Sequence, residues 1–392
     1  MLSRFLTLLF TFVSILSMEA VVATTYNVVS YGAKSDGKTD STKAFLSAWS
    51  SACSSSDSSS IYVPPGEYLI GSIARFNGET CKSNDITIRI DGTLLAPSDY
   101  EALGNGGNWI VFERVDGVSI YGGTLDARGA GLWACKASKN RCPSGVTSLE
   151  LSQSNNIFVS GLTSLNSQMF HITVFGCNNV KLQGLKVSAP AESPNTDGIH
   201  VSSSSGVTIT NTRIGTGDDC ISIGPGSRNL WFENIACGPG HGISIGSLGG
   251  NSLVAGVQNV TVTTATFTGT ENGVRIKTWA EAGLGFVRNV VFEHATMVNV
   301  QNPIVIDQHY CPGSNNCPNQ ASGIKISDVT YQDIHGTSAT EVAVKFECSK
   351  ANPCSGITLN DVDLTYGKAS AESSCSNARG SASGVVLPTS CL

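Results

Sequence analysis

The stretch NNIFVSGLTS, Asn155–Ser164, returns as NNVKLQGLKV at Asn178–Val187, and this recurrence decides the fold. Each copy opens on Asn or Gly, alternates apolar with polar residues, turns on a polar residue or Gly, and closes with a second short strand pattern. SGVTITNTRI from Ser205, RNLWFENIAC from Arg228, QNVTVTTATF from Gln258 and RNVVFEHATM from Arg288 repeat it. SGIKISDVTY from Ser322 and SGITLNDVDL from Ser355 continue the series, and DGVSIYGGTL from Asp116 is an earlier copy. The intervals run from 23 to 39 residues, a range typical of repeat architectures. An apolar period of 2 marks strands, not helices. Such short units cannot bury an apolar face alone, so they stack, with parallel strands about 4.8 Å apart on successive coils. The expected fold class is all-β, a solenoid of parallel strands or β-helix. A propeller would need four strands per blade, more than these units hold.

A solenoid needs its ends covered. TDSTKAFLSAWSSAC, Thr39–Cys53, is expected to be a helical N-terminal lid, capped by Asp40 or Ser41, with Phe45, Ala48, Trp49 and Ala52 on one face. The cysteine-rich tail after Cys348 is expected to protect the other end.

The first 23 of the 392 residues read as a secretory signal: Arg4, the apolar Phe5–Leu16, and small residues before a cut at Ala23/Thr24. Residues 24–392 are then expected to form one β-helical domain. Nothing later is long and apolar enough to cross a membrane, and the product is expected to be secreted, as a monomer. Thirteen cysteines suit that compartment. Neighbours in sequence suggest the pairs Cys53–Cys81, Cys135–Cys142, Cys220–Cys237, Cys311–Cys317, Cys348–Cys354 and Cys375–Cys391, leaving Cys177 free. No pair of CxxC motifs supports zinc. NVT at Asn259 is a glycosylation sequon. The net charge of −6, with no basic stretch, argues against nucleic acid.

Stacking turns a sequence period into a spatial column. SPNTDGIH puts Asp197 one coil before Asp218 and Asp219 of IGTGDDCISIG, and GPGHGISIGS puts His241 one coil later. GVRIKTW adds Arg275 and Lys277, and IDQHYC adds Tyr310. The column must face outward, because the interior is apolar. Adjacent strand residues point oppositely, so both Asp218 and Asp219 reach the column only if Gly215 and Gly217 break the strand there. Three carboxylates with His, Arg, Lys and Tyr suit glycoside hydrolysis by two carboxyl groups, one protonated and one ionised. Arg275 and Lys277 would hold an anionic sugar.

NTDG, GDD, GHG with ISIGS, and RIK, in that order, resemble the polygalacturonases of glycoside hydrolase family 28. YNVVSYGAKSDGKTDST and GTSATEVAVKFECSKANPCSGI resemble its plant secreted members. The likeness spans nearly all of the chain beyond the signal. It implies a right-handed parallel β-helix that hydrolyses α-1,4-linked galacturonan in pectin with inversion, for plant cell-wall modification, without a cofactor or metal. By position, Asp218 is the general acid, Asp197 and Asp219 activate water, and His241 supports the acid. Arg275, Lys277 and Tyr310 contact substrate, and Asn195 orients Asp197 or shapes its turn. Inversion implies an acid–base carboxyl separation of about 6.5–9.5 Å.

Alternatives follow from the same residues. Adjacent acids also suit calcium, which would make the protein a calcium-dependent pectate lyase. A galacturonan-binding wall protein without turnover is the non-enzymatic reading. Within hydrolysis, IDQHYC is closer to endo-acting members, and exo attack is the alternative. CKASKNRCPSG and CPGSNNCPNQ are candidate groove walls. His171, His200, His294, His309 and His335 carry no motif and are read as structural.

Overall fold

The computed structural model describes residues 24–138, 141–249, 256–312, 317 and 320–392; the signal segment, residues 1–23, lies outside them. The repeats wind into a parallel β-helix. Each coil gives one strand to an 11-stranded sheet, running from Ala74–Asn77 to Glu372–Ser376, and its remaining strands to a second sheet of 18. Neighbours pair in parallel along both sheets, with one short antiparallel exception between Tyr366 and Ala369.

Register places like residues above like. Ile199 pairs with Ile221, Ile221 with Ile243, Ile243 with Val274 and Val274 with Ile304. All five are fully buried. This stacking supplies the apolar burial that one coil lacks, at about 25 cal/mol per Å².

The polar openings of the repeats have a backbone cause. Asn156, Asn179, Asn229, Asn259 and Asn289 all adopt left-handed φ of 54–57°, a region Asn tolerates better than most residues. Their amides form ladders: Asn179 donates to Asn156 at 2.6 Å, Asn259 to Asn229 at 3.0 Å, and Asn289 to Asn259 at 3.2 Å. The sequon residue Asn259 is therefore a rung of a ladder.

The N-terminal lid is a helix over Thr42–Ser54, three residues shorter at its start than expected. Thr39 and Asp40 belong instead to a strand, Asp36–Asp40. Ser41 makes no side-chain cap; Asp40 Oδ1 accepts from the Thr42 amide at 2.9 Å and from the Gly71 amide at 2.9 Å. Phe45, Ala48, Trp49 and Ala52 are buried as expected. Trp49 packs edge-on to Phe76 and Phe112. A second helix, Ala130–Ala137, was not expected; it is short, and Cys135–Cys142 ties down its end. Its last turn enters one of the candidate groove walls, residues 135–145; residues 139–140 of that wall, and 313–316 and 318–319 of the other, lie outside the described residues.

All six disulfides form as paired above, and Cys177 is free and buried. The tail lies at the other end, as expected. It forms the last coil, with Ala378–Leu387 paired along Cys354–Tyr366. Most of that final strand is exposed, Val385 among its residues. Its small and polar residues break the apolar alternation and lie along the edge of the preceding coil, so the tail covers that end as the last turn of the solenoid.

Candidate active site

The site forms where three successive coils turn into the 11-stranded sheet. Asp197 precedes the strand Ile199–Ser202, Asp218 and Asp219 precede Ile221–Ile223, and His241 precedes Ile243–Leu248. Backbone bonds clamp the turns together: Gly198 N to Asp219 O at 2.9 Å and His241 N to Asp218 O at 2.8 Å. Between Ser205–Gly215 and Ile221–Ile223 the chain bends, so strand alternation does not apply to the two acids. Gly217 permits the bend, because a Cβ there would collide with the Ser193 carbonyl. Cys220–Cys237 pins the same point.

The register then explains the outward column. His200 pairs with Ser222, Ser222 with Ser244, and Ser244 with Arg275. Each lies between two core residues and so faces out. A cavity of about 250 Å³ opens beside them, lined by Asn195, Asp197, Asp218, Asp219, Lys277 and Tyr310, together with Phe170, His200 and Ser222. The structure thus brings all three acids, Asn195, Lys277 and Tyr310 to one cavity. His241 and Arg275 reach it by direct bonds to the acids.

Asp218 and Asp219 differ sharply. Asp218 is partly exposed and accepts from His241 Nδ1 at 3.1 Å. Asp219 is only 1% exposed, yet it faces the cavity floor and not the apolar core. Its Oδ1 meets Arg275 Nη2 at 2.9 Å and the Ser244 hydroxyl at 2.8 Å, and its Oδ2 meets Lys277 Nζ at 2.7 Å. Arg275 and Lys277 are themselves buried. Their charges are engaged by Asp219, where the sequence suggested free binding of a sugar carboxylate. Lys277 also lies 5.2 Å from the Tyr310 ring.

The acids share charge unequally. Burial, then the carboxylates of Asp218 and Asp219, push Asp197 well above the ordinary carboxylate range. Burial acts the same way on Asp218, but the hydrogen bond and charge of His241 outweigh it and hold Asp218 below that range. The reciprocal bond to Asp218, opposed by burial and aided by Glu271, raises His241. These directions favour a protonated carboxyl on Asp197 and an ionised one on Asp218 beside His241.

Four contributors were missed in the sequence. The Ser222 hydroxyl donates to Asp197 Oδ2 at 2.6 Å and lies 2.7 Å from His200 Nδ1. His200 stacks on Phe170 and is pushed down to about 4 by burial, so it is neutral under mildly acidic conditions. Ser244 supports Asp219, and Glu271 Oε2 lies 3.4 Å from His241 Nε2. The outward middle position of IHV, ISI, ISI and VRI would have found His200 and both serines; nothing in GTENG marks Glu271.

Asp218, Asp219 and His241 offer ligand atoms within 4.8 Å of one another. The donor set does not suit calcium, which takes six to eight oxygens. Here Arg275 and Lys277 already occupy both oxygens of Asp219, and His241 occupies Oδ1 of Asp218.

Residues 53–386 match the glycosyl hydrolases family 28. The chain is 63% identical to a polygalacturonase of Prunus persica over 382 residues, 97% of each protein. It is 44% identical to an exopolygalacturonase of Platanus acerifolia over 370 residues, 93% of this chain and 96% of the relative. Among solved structures it resembles an endo-xylogalacturonan hydrolase from Aspergillus tubingensis, with TM-score 0.80 and 28% identity, covering 93% of this chain and 100% of the other.

Proposed function

The chain belongs to the glycosyl hydrolases family 28, and from that premise we propose how it hydrolyses the α-1,4 bonds of polygalacturonan. The carrying observation is the pairing of Asp218 with His241 beside the doubly paired Asp219. Asp218 is the general acid. His241 holds Asp218 below the usual carboxylate range, so its proton comes from that neighbour: His241 Nδ1 gives a proton to Asp218, Asp218 passes it to the leaving oxygen, and a neutral imidazole is left. Water on the opposite face of the sugar loses its proton to the ion-paired carboxylate of Asp219, with Asp197 beside it to hold the water, giving inversion. Ser222 fixes Asp197, and Ser244, Arg275 and Lys277 fix Asp219, so that both oxygens stay aimed. An entering galacturonate carboxylate meets Lys277, which lines the cavity while it holds Asp219. Tyr310 offers its ring beside that cation, and Asn195 lines the same wall.

All of these groups come from one chain, so a monomer suffices. The disulfides and the N-terminal signal sequence support action outside the cell, on the pectin of a plant wall. The direct test is incubation with polygalacturonate. New reducing ends should appear, without unsaturated ultraviolet-absorbing products, and a chelator should change nothing. Unsaturated ends, or loss of activity on chelation, would establish the calcium-dependent lyase instead. Product size over time separates attack modes: mid-length oligomers appearing early mean internal cleavage, as IDQHYC suggests, and monomer alone means cleavage from an end.

A further inference from the structure

The outer face of the 18-stranded sheet carries an aromatic and cationic strip that the cleft does not use. Tyr62 pairs with Arg89 and Arg89 with Tyr121 on three successive coils. The strip shifts by two residues to the next column, where Phe158 pairs with Lys181, Lys181 with Thr208 and Thr208 with Trp231. Flanking residues on each strand, such as Ile61, Ile88, Ile120, Ile157, Val180 and Leu230, are buried. The strip therefore points outward by alternation. Its members touch: Arg89 lies 5.9 Å over Tyr62, Tyr121 is edge-on to Phe158 at 5.5 Å, and Lys181 lies 5.7 Å over Phe158.

Tyr121 and Trp231 remain 42% and 43% exposed, which a chain gains nothing from in water. Asp91 fixes Arg89 and the Tyr62 hydroxyl, and Glu233 holds the Trp231 indole nitrogen. Lys181 has no carboxylate partner among the described residues. Aromatic faces stack on pyranose rings, and cations meet uronate carboxylates. Successive coils are about 4.8 Å apart, comparable to one sugar unit along a chain.

We propose that this strip is an accessory binding surface for a polygalacturonate chain, running along the coils on the sheet that does not carry the cleft. It rests on the functional reading above and names a second contact for the same polymer. Such a surface would hold the enzyme on its insoluble substrate between cleavages.

The test measures retention on immobilised polygalacturonate with excess trigalacturonate filling the cleft. Trigalacturonate turnover, measured alongside, reports folding and the cleft. The combined variant Tyr121→Ala, Phe158→Ala, Trp231→Ala should weaken polymer retention about tenfold or more, the loss of about one good stacking contact. Its turnover of trigalacturonate should stay within about twofold of wild type. Lys181→Gln should reduce retention and flatten its dependence on salt. Unchanged retention in the combined variant, or equal retention of wild type on neutral galactan, overturns the proposal. A wild type that cleaves no galacturonate at all would instead overturn the reading on which it rests.

Discussion

Replacing Lys277 with Met removes one of the two cations that hold Asp219. The side chain of Asp219 is nearly inaccessible, and Lys277 Nζ lies 2.7 Å from its Oδ2. Breaking a buried ion pair on one side typically costs about 3–5 kcal/mol, because the remaining charge is uncompensated. Asp219 keeps Arg275 and Ser244 on Oδ1, so the cost belongs at the lower end, about 3 kcal/mol. Adding Asp219→Asn to Lys277→Met should cost less than the sum of the two single variants, because both singles break the same pair. Equilibrium unfolding in guanidinium chloride of wild type, both single variants and the double variant gives the coupling, expected at about 2 kcal/mol or more. Activity should fall in all three variants. A single-variant cost under about 0.5 kcal/mol, with additive effects in the double, would mean that the pair is only a surface contact and refute the reasoning.

The pH response has a worked sign. The folded-state value of His241 is raised, so its contribution to stability is full below about 6.5 and lost as pH rises through the raised value; that of Asp218 is lowered, so its contribution is lost as pH falls through it. Between those limits the pair supplies the proton, and His241→Ala should move the alkaline limb of kcat/KM to lower pH while cutting kcat about 10²–10³-fold. His171 is fully buried, with its Nδ1 on the Ser164 hydroxyl, and burial pushes it down to about 3. The neutral ring contributes stability that is present above about 6.5 and lost as pH falls toward 3, on the order of 4 kcal/mol; His171→Gln should flatten acid unfolding over that window even if it lowers stability at pH 7. Ser222→Ala removes the hydrogen bond on Asp197 Oδ2, and steady-state kinetics should show kcat reduced about 10–100-fold with KM little changed.

Much of this was legible because a solenoid converts sequence period into position. Asp197, Asp218 and His241 sit one coil apart in sequence, and the structure stacks their turns within one backbone hydrogen bond of each other. The Asn openings could be seen as repeats, although their left-handed backbone and amide ladders emerge only from the stacked coils. What was not legible lies in pair geometry. Ser222 and Ser244 look like filler within ISI, and become partners of acids only through register. Arg275 looks like a free cation in RIK, yet Asp219 from two coils earlier claims it. His200 carries no motif, but its strand position turns it toward the cavity. The upward push on Asp197 follows from burial and from two neighbouring charges, neither of which a single motif records.

The central claim is that Asp218, fed by His241, delivers the proton to the leaving oxygen. Asp218→Asn keeps the shape and can accept from His241, but it carries no acidic proton. Its turnover of polygalacturonate, followed by release of reducing ends, should fall by about 10³-fold or more, while binding of oligogalacturonate stays within about tenfold of wild type. Undiminished release of reducing ends by that variant would contradict the account.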